Sequence, residues 1–222
     1  MNGIVHLISS SVGRKIIMGI TGLFLCLFLV VHLGGNLLLL KNDGGVAFNA
    51  YAEFMATTPL IRLAEIILFL GFLIHIVDGI SLALKNRASR PERYRMNEAP
   101  ASSSWFSRHM PLTGIVVFVF LVIHLNSFFV KHRFLDPGNE TMYETVVNSF
   151  QSGWGGFYWA FYVVCMVFIG FHLRHGFRTA FLSLGLSHRR FSALLDTLAV
   201  LFSIIVPAGF AMIPIYFYFV KP

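Results

Sequence analysis

The chain has 222 residues, 56% of them hydrophobic and 12% charged, with a mean hydropathy of +0.73. That is too apolar for a soluble domain of this size and marks an integral membrane protein. The net charge of +7 could suit nucleic acid, but its placement along the chain divides it between two membrane faces, so no nucleic-acid partner is expected.

A bilayer core takes about 20 apolar residues per helical span. Five stretches reach that length: residues 16–40, 60–84, 110–130, 157–184 and 191–220. They predict an all-α fold, a single transmembrane domain over residues 1–222 whose first four spans form a bundle. The first span is long and lacks a small-residue cleavage site, so it is expected to stay in the mature protein. It ends at "KNDGG", where Gly44 and Gly45 can take the left-handed conformation that closes a helix. In the loop after it, residues 41–59, Val46, Phe48, Tyr51, Phe54 and Met55 predict a short interfacial helix.

Between the second and third spans lies "KNRASRPERYRMNEAPASSSWFSR", basic and containing Pro and Ser. It cannot fold alone and is expected to dock on lipid headgroups or a partner subunit. The loop 131–156 carries the turn signal "DPGN" and leads to Trp154 and Trp159, which suit a membrane interface. Pro207 and Pro214 predict kinks in the fifth span. Cys26 and Cys165 fall inside spans, so no disulfide framework is expected, and no Cys-x-x-Cys-His offers thioether attachment to a haem. No long internal repeat is evident.

The cations fix an expected orientation. One side holds Arg14, Lys15, Lys85, Arg87, Arg90, Arg93, Arg95, Arg108, Arg174, Arg178, Arg189 and Arg190; the other holds Lys41, Arg62, Lys131, Arg133 and Lys221. By the positive-inside rule the N-terminus is cytoplasmic and the C-terminus outside.

Four histidines lie well inside four different spans: His32, His75, His124 and His172. Imidazole in a bilayer is costly unless partnered, so four together point to function. At ~1.5 Å per residue, His32 lies roughly 25 Å from Lys15 at the inner face and His124 roughly 24 Å from Arg108. By the same rise His75 lies roughly 15 Å from Lys85 and His172 roughly 9 Å from Arg178, both nearer the cytoplasm. The depths pair His32 with His124 and His75 with His172. Gly79 and Gly176 follow the inner two by four residues and could give a flat macrocycle a face without side chains. Gly19 and Gly22 could do the same or serve helix contact. With no cysteine or carboxylate beside the pairs, two non-covalent haems b with bis-histidine iron fit better than zinc. Each ligand's Nδ1–H is expected to bond a carbonyl one turn earlier, leaving Nε2 for iron.

The remaining histidines have weaker claims. His6, His109, His132 and His188 lie near span ends and read as interfacial. His175, between Arg174 and Arg178, is assigned with those arginines to the haem-propionate or headgroup region, and Arg178 is a candidate haem contact.

The segments "LVVHLGGN", "FLIHIVDG", "FLVIHLNS" and "GFHLRHG", in that order, resemble the di-haem cytochrome b membrane subunits of succinate dehydrogenase and fumarate reductase. The N-terminal "SSVGRKIIMGITGLFL" strengthens the likeness to the bacterial succinate dehydrogenase subunits, and the resemblance covers essentially the whole chain. It implies that His75 and His172 hold an inner haem and His32 and His124 an outer one. It also implies a flavoprotein and an iron–sulfur protein as partners, docked on the cytoplasmic side of a bacterial inner membrane. Quinone, menaquinone first among the candidates, would react near the outer haem. The succinate or fumarate site would lie on the partner, leaving this chain the quinone-reactive electron-transfer subunit.

One position departs from the family pattern. Where some fumarate reductases of the family carry an acid two residues before the fourth ligand, this chain has Gly170, so that proton route is in doubt. Glu53 in the outer loop is the candidate carboxylate for proton exchange with quinone, the alternative being an ordinary solvated loop carboxylate. Glu65 and Asp78 are also embedded, and Asp78 could pair with an arginine near the inner haem. The alternative is a cytochrome b subunit of another respiratory complex such as a hydrogenase or nitrate reductase, which would distribute its ligands differently among the helices.

Overall fold

The computed structural model describes residues 10–88, 105–135, 138–151, 153–186, 188 and 190–220. His6, the greater part of the basic inner segment, Asp136 and Pro137 of the expected turn, Arg189 and Lys221 lie outside the described residues.

The described residues form helices joined by turns, with no strand among them, in the all-α architecture expected. The first long helix, α1, runs over Ser11–Asn36 and tightens into a 3₁₀ turn at Leu37–Leu40. Ser10 caps it by accepting the Gly13 N–H at 3.0 Å. A short helix, α2, follows over Val46–Thr57, and then α3 over Pro59–Ala88. The next, α4, covers Trp105–His124 and continues as a π-helix over Leu125–Leu135. A second short helix, α5 (Met142–Gln151), precedes α6 (Gly155–Ser183) and α7 (Ser192–Phe219).

Five of these segments are long and apolar enough to cross a membrane: Ser11–Leu40, Pro59–Ala88, Ser107–Leu135, Gly155–Ser183 and Ser192–Phe219. The third is the largest extension over expectation, because the π-helical turns carry it past Val130. Their outward faces suit lipid: Leu60 is 75% exposed and Ile115 62%.

Packing runs α3 on α1, α1 on α6 and α6 on α4, while α3 and α4 meet only lightly and α7 lies against α6 and α1. Lipid tails are as apolar as Leu, so close backbone approach rather than water exclusion holds such helices together. Gly19 brings α1 against α6, where a Cβ would stand 3.1 Å from the Ala180 carbonyl oxygen. At Gly170 a Cβ would stand 2.9 Å from the Ser203 carbonyl oxygen of α7. That carbonyl precedes Pro207 by four residues, and Pro207 has no N–H to bond it. The helix continues through both Pro207 and Pro214.

The outer loops form a cap. Gly44 and Gly45 take the positive φ expected of "KNDGG", 67° and 88°, but they open α2, with Gly45 as its N-cap, and α1 ends before them on an extended Lys41. Asp43 then accepts the N–H groups of Gly45 and Ala47 at 3.0 and 3.1 Å to start α2. The Tyr51 ring lies where a Cβ on Gly35 would stand, which seats α2 on the outer end of α1. Helix α5 was not anticipated. Its signal was present: Thr141 and Glu144 form a reciprocal capping box, the carboxylate accepting the Thr141 N–H at 2.8 Å and the Glu144 N–H reaching Thr141 Oγ1 at 3.2 Å. It buries Tyr143, Val146 and Phe150, and the Tyr143 N–H donates to Asn49 Oδ1 of α2 at 3.0 Å.

Candidate functional site

The fold brings the four span histidines together as two pairs. His75 of α3 and His172 of α6 have ring centroids 6.3 Å apart with planes at 69°. His32 of α1 and His124 of α4 have centroids 5.9 Å apart at 87°. Two imidazoles on one metal need about 2 Å from each nitrogen to the metal and about 1 Å more to each ring centre, or about 6 Å in all. Both pairs meet that spacing. Among the described residues no three His, Cys, Asp or Glu side chains converge, so each pair offers two imidazoles and nothing else. That donor set suits the axial positions of a haem and not a closed zinc site.

Ring orientation comes from the neighbouring helices, where the sequence pointed to backbone carbonyls instead. His75 Nδ1 lies 3.2 Å from Thr21 Oγ1 of α1, and His172 Nδ1 lies 3.4 Å from Thr113 Oγ1 of α4. Beside each ring is a glycine: a Cβ on Gly22 would be 3.5 Å from His75 Cε1, and one on Gly114 3.8 Å from His172 Cε1. The faces at Gly79 and Gly176 are covered only by methionine methyls, Met18 Cε at 3.4 Å and Met110 Cε at 3.6 Å from the respective Cβ positions. A methionine swings aside at little cost. A planar group can therefore lie on these faces.

The outer pair sits among rings. His32 stacks on Phe28 at 5.1 Å and meets Phe210 of α7 at 5.5 Å. His124 stacks on Phe120 at 5.5 Å and meets Phe128 at 5.2 Å. Asn36 donates to the His32 carbonyl at 2.8 Å and lies 3.3 Å from its Nδ1.

A hydrogen-bonded line leaves His124. Its Nδ1 lies 3.2 Å from the Tyr162 hydroxyl, which lies 3.2 Å from that of Tyr158, and Tyr158 donates to Ser127 Oγ at 2.6 Å. With that last donor fixed, the line is satisfied when Tyr162 donates to Tyr158 and His124 Nδ1–H donates to Tyr162, leaving Nε2 free. The line ends at an open cavity of about 350 Å³, whose walls include Asn126, Ser127, Lys131, Ser149, Trp154 and Tyr158. The π-helix sets Asn126 and Lys131 one five-residue turn apart, so both reach it. Sequence reasoning named Trp154 only as an interface residue and missed Tyr158 and Tyr162.

Other expected residues fall as follows. Glu53 is exposed on α2, away from the cavity lining. Glu65 pairs with Arg62 at 2.5 Å and Arg133 at 3.5 Å, at the outer end of α3 rather than in the apolar middle. Arg178 pairs through Nε with Asp196 of α7, a partner the sequence did not suggest. His175 lies 3.4 Å from Thr179 Oγ1 on its own helix. Among the described residues Asp78 Oδ2 is buried without a hydrogen-bond partner, while Arg14 donates to Ser81. Gly170 is filled from the other side by the α7 backbone, so an acid there would displace Ser203.

A family described as the succinate dehydrogenase/fumarate reductase transmembrane subunit matches residues 83–211, more than half of the chain. The chain belongs to that family. It is a multi-pass membrane subunit of the succinate:quinone oxidoreductase group, with five helices able to span. Neither the curated proteins nor the solved structures gave a match. Membership implies the remaining subunits of such a complex, and the matched stretch takes in the His124 and His172 helices.

Proposed function

We propose that this chain carries electrons between a cytoplasmic iron–sulfur subunit and membrane quinone through two haems b, one between His75 and His172 and one between His32 and His124. The observation that carries the reading is the pair of ring spacings, 6.3 and 5.9 Å, each suited to one iron. When bound, the haems would supply the one-electron chemistry, and His75, His172, His32 and His124 would hold them between glycine faces and an apolar surround. Arg178 and its Asp196 partner mark the inner polar boundary, where haem carboxylates would sit. Two centres divide a ~30 Å hydrocarbon core into shorter transfers.

Quinone is assigned to the outer cavity, where Ser127 and Lys131 offer a hydroxyl and an ammonium group to carbonyl oxygens and Tyr158 donates to Ser127 from behind. The Tyr158–Tyr162 line then joins that site to His124, and exposed Glu53 is the candidate for proton exchange with the outer water. With the N-terminus in the cytoplasm, each electron crossing the membrane works with or against about 2.3 kcal/mol per 100 mV. Pyridine haemochrome quantitation of the purified complex tests the reading. Two haems per chain are expected; one or none overturns it.

A further inference from the structure

Two helices of this chain carry one frame. "MGITGLFLCLFLVVH" over residues 18–32 and "MPLTGIVVFVFLVIH" over residues 110–124 place Met, Thr, Gly, Phe and His at the same five positions. The structure repeats the contacts as well as the letters. Met18 covers Gly79 and Met110 covers Gly176. Phe28 stacks on His32 at 19° between planes, and Phe120 on His124 at 23°. Thr21 meets His75 of the following long helix, and Thr113 meets His172 of the following long helix. Helices α1 with α3, and α4 with α6, are thus two copies of one unit, and each histidine pair joins equivalent residues of the two copies. The repeat escapes a search for long similarity because the helices between the motifs differ in sequence and the loops in length.

The threonine hydroxyls have a definite hydrogen-bond role. Thr21 Oγ1 lies 2.8 Å from the Ile17 carbonyl and Thr113 Oγ1 lies 3.0 Å from the Met110 carbonyl, so each spends its one proton on its own helix. Toward the imidazole only a lone pair remains. The partner nitrogen must then carry the proton, which fixes the Nδ1–H tautomer and turns Nε2 away from the threonine.

We propose that Thr21 and Thr113 are the paired positioning residues of the inner site, each locking its histidine, His75 or His172, in the tautomer that presents Nε2 to a shared iron. This rests on the haem reading above. The glycine after each threonine faces the same ring, and a Cβ at Gly22 or Gly114 would already stand in van der Waals contact with it, at 3.5 and 3.8 Å. Donation from Nδ1–H also makes an imidazole more basic, which favours the oxidised metal.

The test uses the chain purified with its co-purifying subunits, comparing Thr21→Val, Thr113→Val, Thr21→Ser and Thr113→Ser by redox titration and low-temperature EPR. Thr197→Val, which removes a similar back-bond to Ala193 in α7, is the control for loss of a helix hydroxyl. Each valine variant is expected to raise the midpoint potential of the same one component and to weaken its haem retention by about tenfold. The second component, the serine variants and the control should match the wild type. Unchanged components in both valine variants, or a shift in the component lost with His32→Ala, would overturn the proposal. A valine variant missing from the membrane is replaced by alanine at that site and judged by the same outcomes. A wild-type chain without haem fails at the parent reading, before any threonine is changed.

Discussion

Around His75 and His172 the neighbouring helices offer hydroxyls and bare backbone, whereas around His32 and His124 the surroundings are rings, most of them from the histidines' own helices. Threonine and glycine flank each inner imidazole, and methionine tips cover the adjacent faces. Phe28, Phe210, Phe120 and Phe128 enclose the outer pair, which reaches polar surroundings through Tyr162 and Tyr158. The inner pair is thus oriented one ring at a time by adjoining helices, and the outer pair is wired through one of its two members. The same imidazole chemistry is held between hydroxyls in one place and linked to an open cavity in the other.

The largest expected effect separates the two regions outright. His75→Ala and His172→Ala should each abolish the same redox component, and His32→Ala and His124→Ala the other, as followed by potentiometric titration. Loss of one component by both His75→Ala and His32→Ala would dissolve the distinction.

The tyrosine line gives the next largest effect. Tyr158→Phe should keep both haems yet lower quinone-linked turnover by roughly 100-fold, the scale of a lost proton-transfer group. Equal loss of electron transfer to a soluble acceptor would remove the tyrosine from the exchange site.

Glycine sharpens the inner side. Gly79→Leu puts bulk where only a methionine methyl now lies, so haem retention in the inner component should fall while the outer spectrum stays. Adding methylenes to a packed site costs about 1–3 kcal/mol, readable as earlier haem loss on heating. His175→Gln should do less: both components stay, with a shift confined to the inner one, because His175 makes its contact within its own helix.

The smallest effect concerns the outer cap. Hydrogen bonds from Lys131 and Asn148, with a minor opposing burial effect, hold the Glu140 carboxyl below the usual carboxylate range. A depressed carboxylate adds stability above its unfolded value, and that stability is lost as pH falls through the lower, folded one. Hydrogen exchange in α5 should therefore quicken on acidification below about pH 4, near the ordinary glutamate value. Glu140→Gln should flatten that dependence.

Several features were legible in the residues because each depends on local composition or period. The five spans follow from apolar length, the left-handed glycines between α1 and α2 from "KNDGG", and the two ring pairs from counting rise along straight helices. The capping box of α5 was equally local and could have been read from Thr141 and Glu144. The duplicated frame was also in the letters, but its meaning was not, since Thr21 lies 54 residues from His75 and Thr113 lies 59 from His172.

Sequence by itself determined that this chain lives in a membrane, that it is helical, and that four imidazoles share two depths, because solvent cost and helical rise act residue by residue. Only the tertiary structure decided that a threonine of one helix orients a histidine of the next, that Phe210 of α7 closes the outer pair, and that Tyr158 joins it to a cavity. Those are contacts between side chains on different helices. Their distances depend on which small residues let two backbones approach, as Gly19 does at Ala180 and Gly170 at Ser203, and no single helix contains that information.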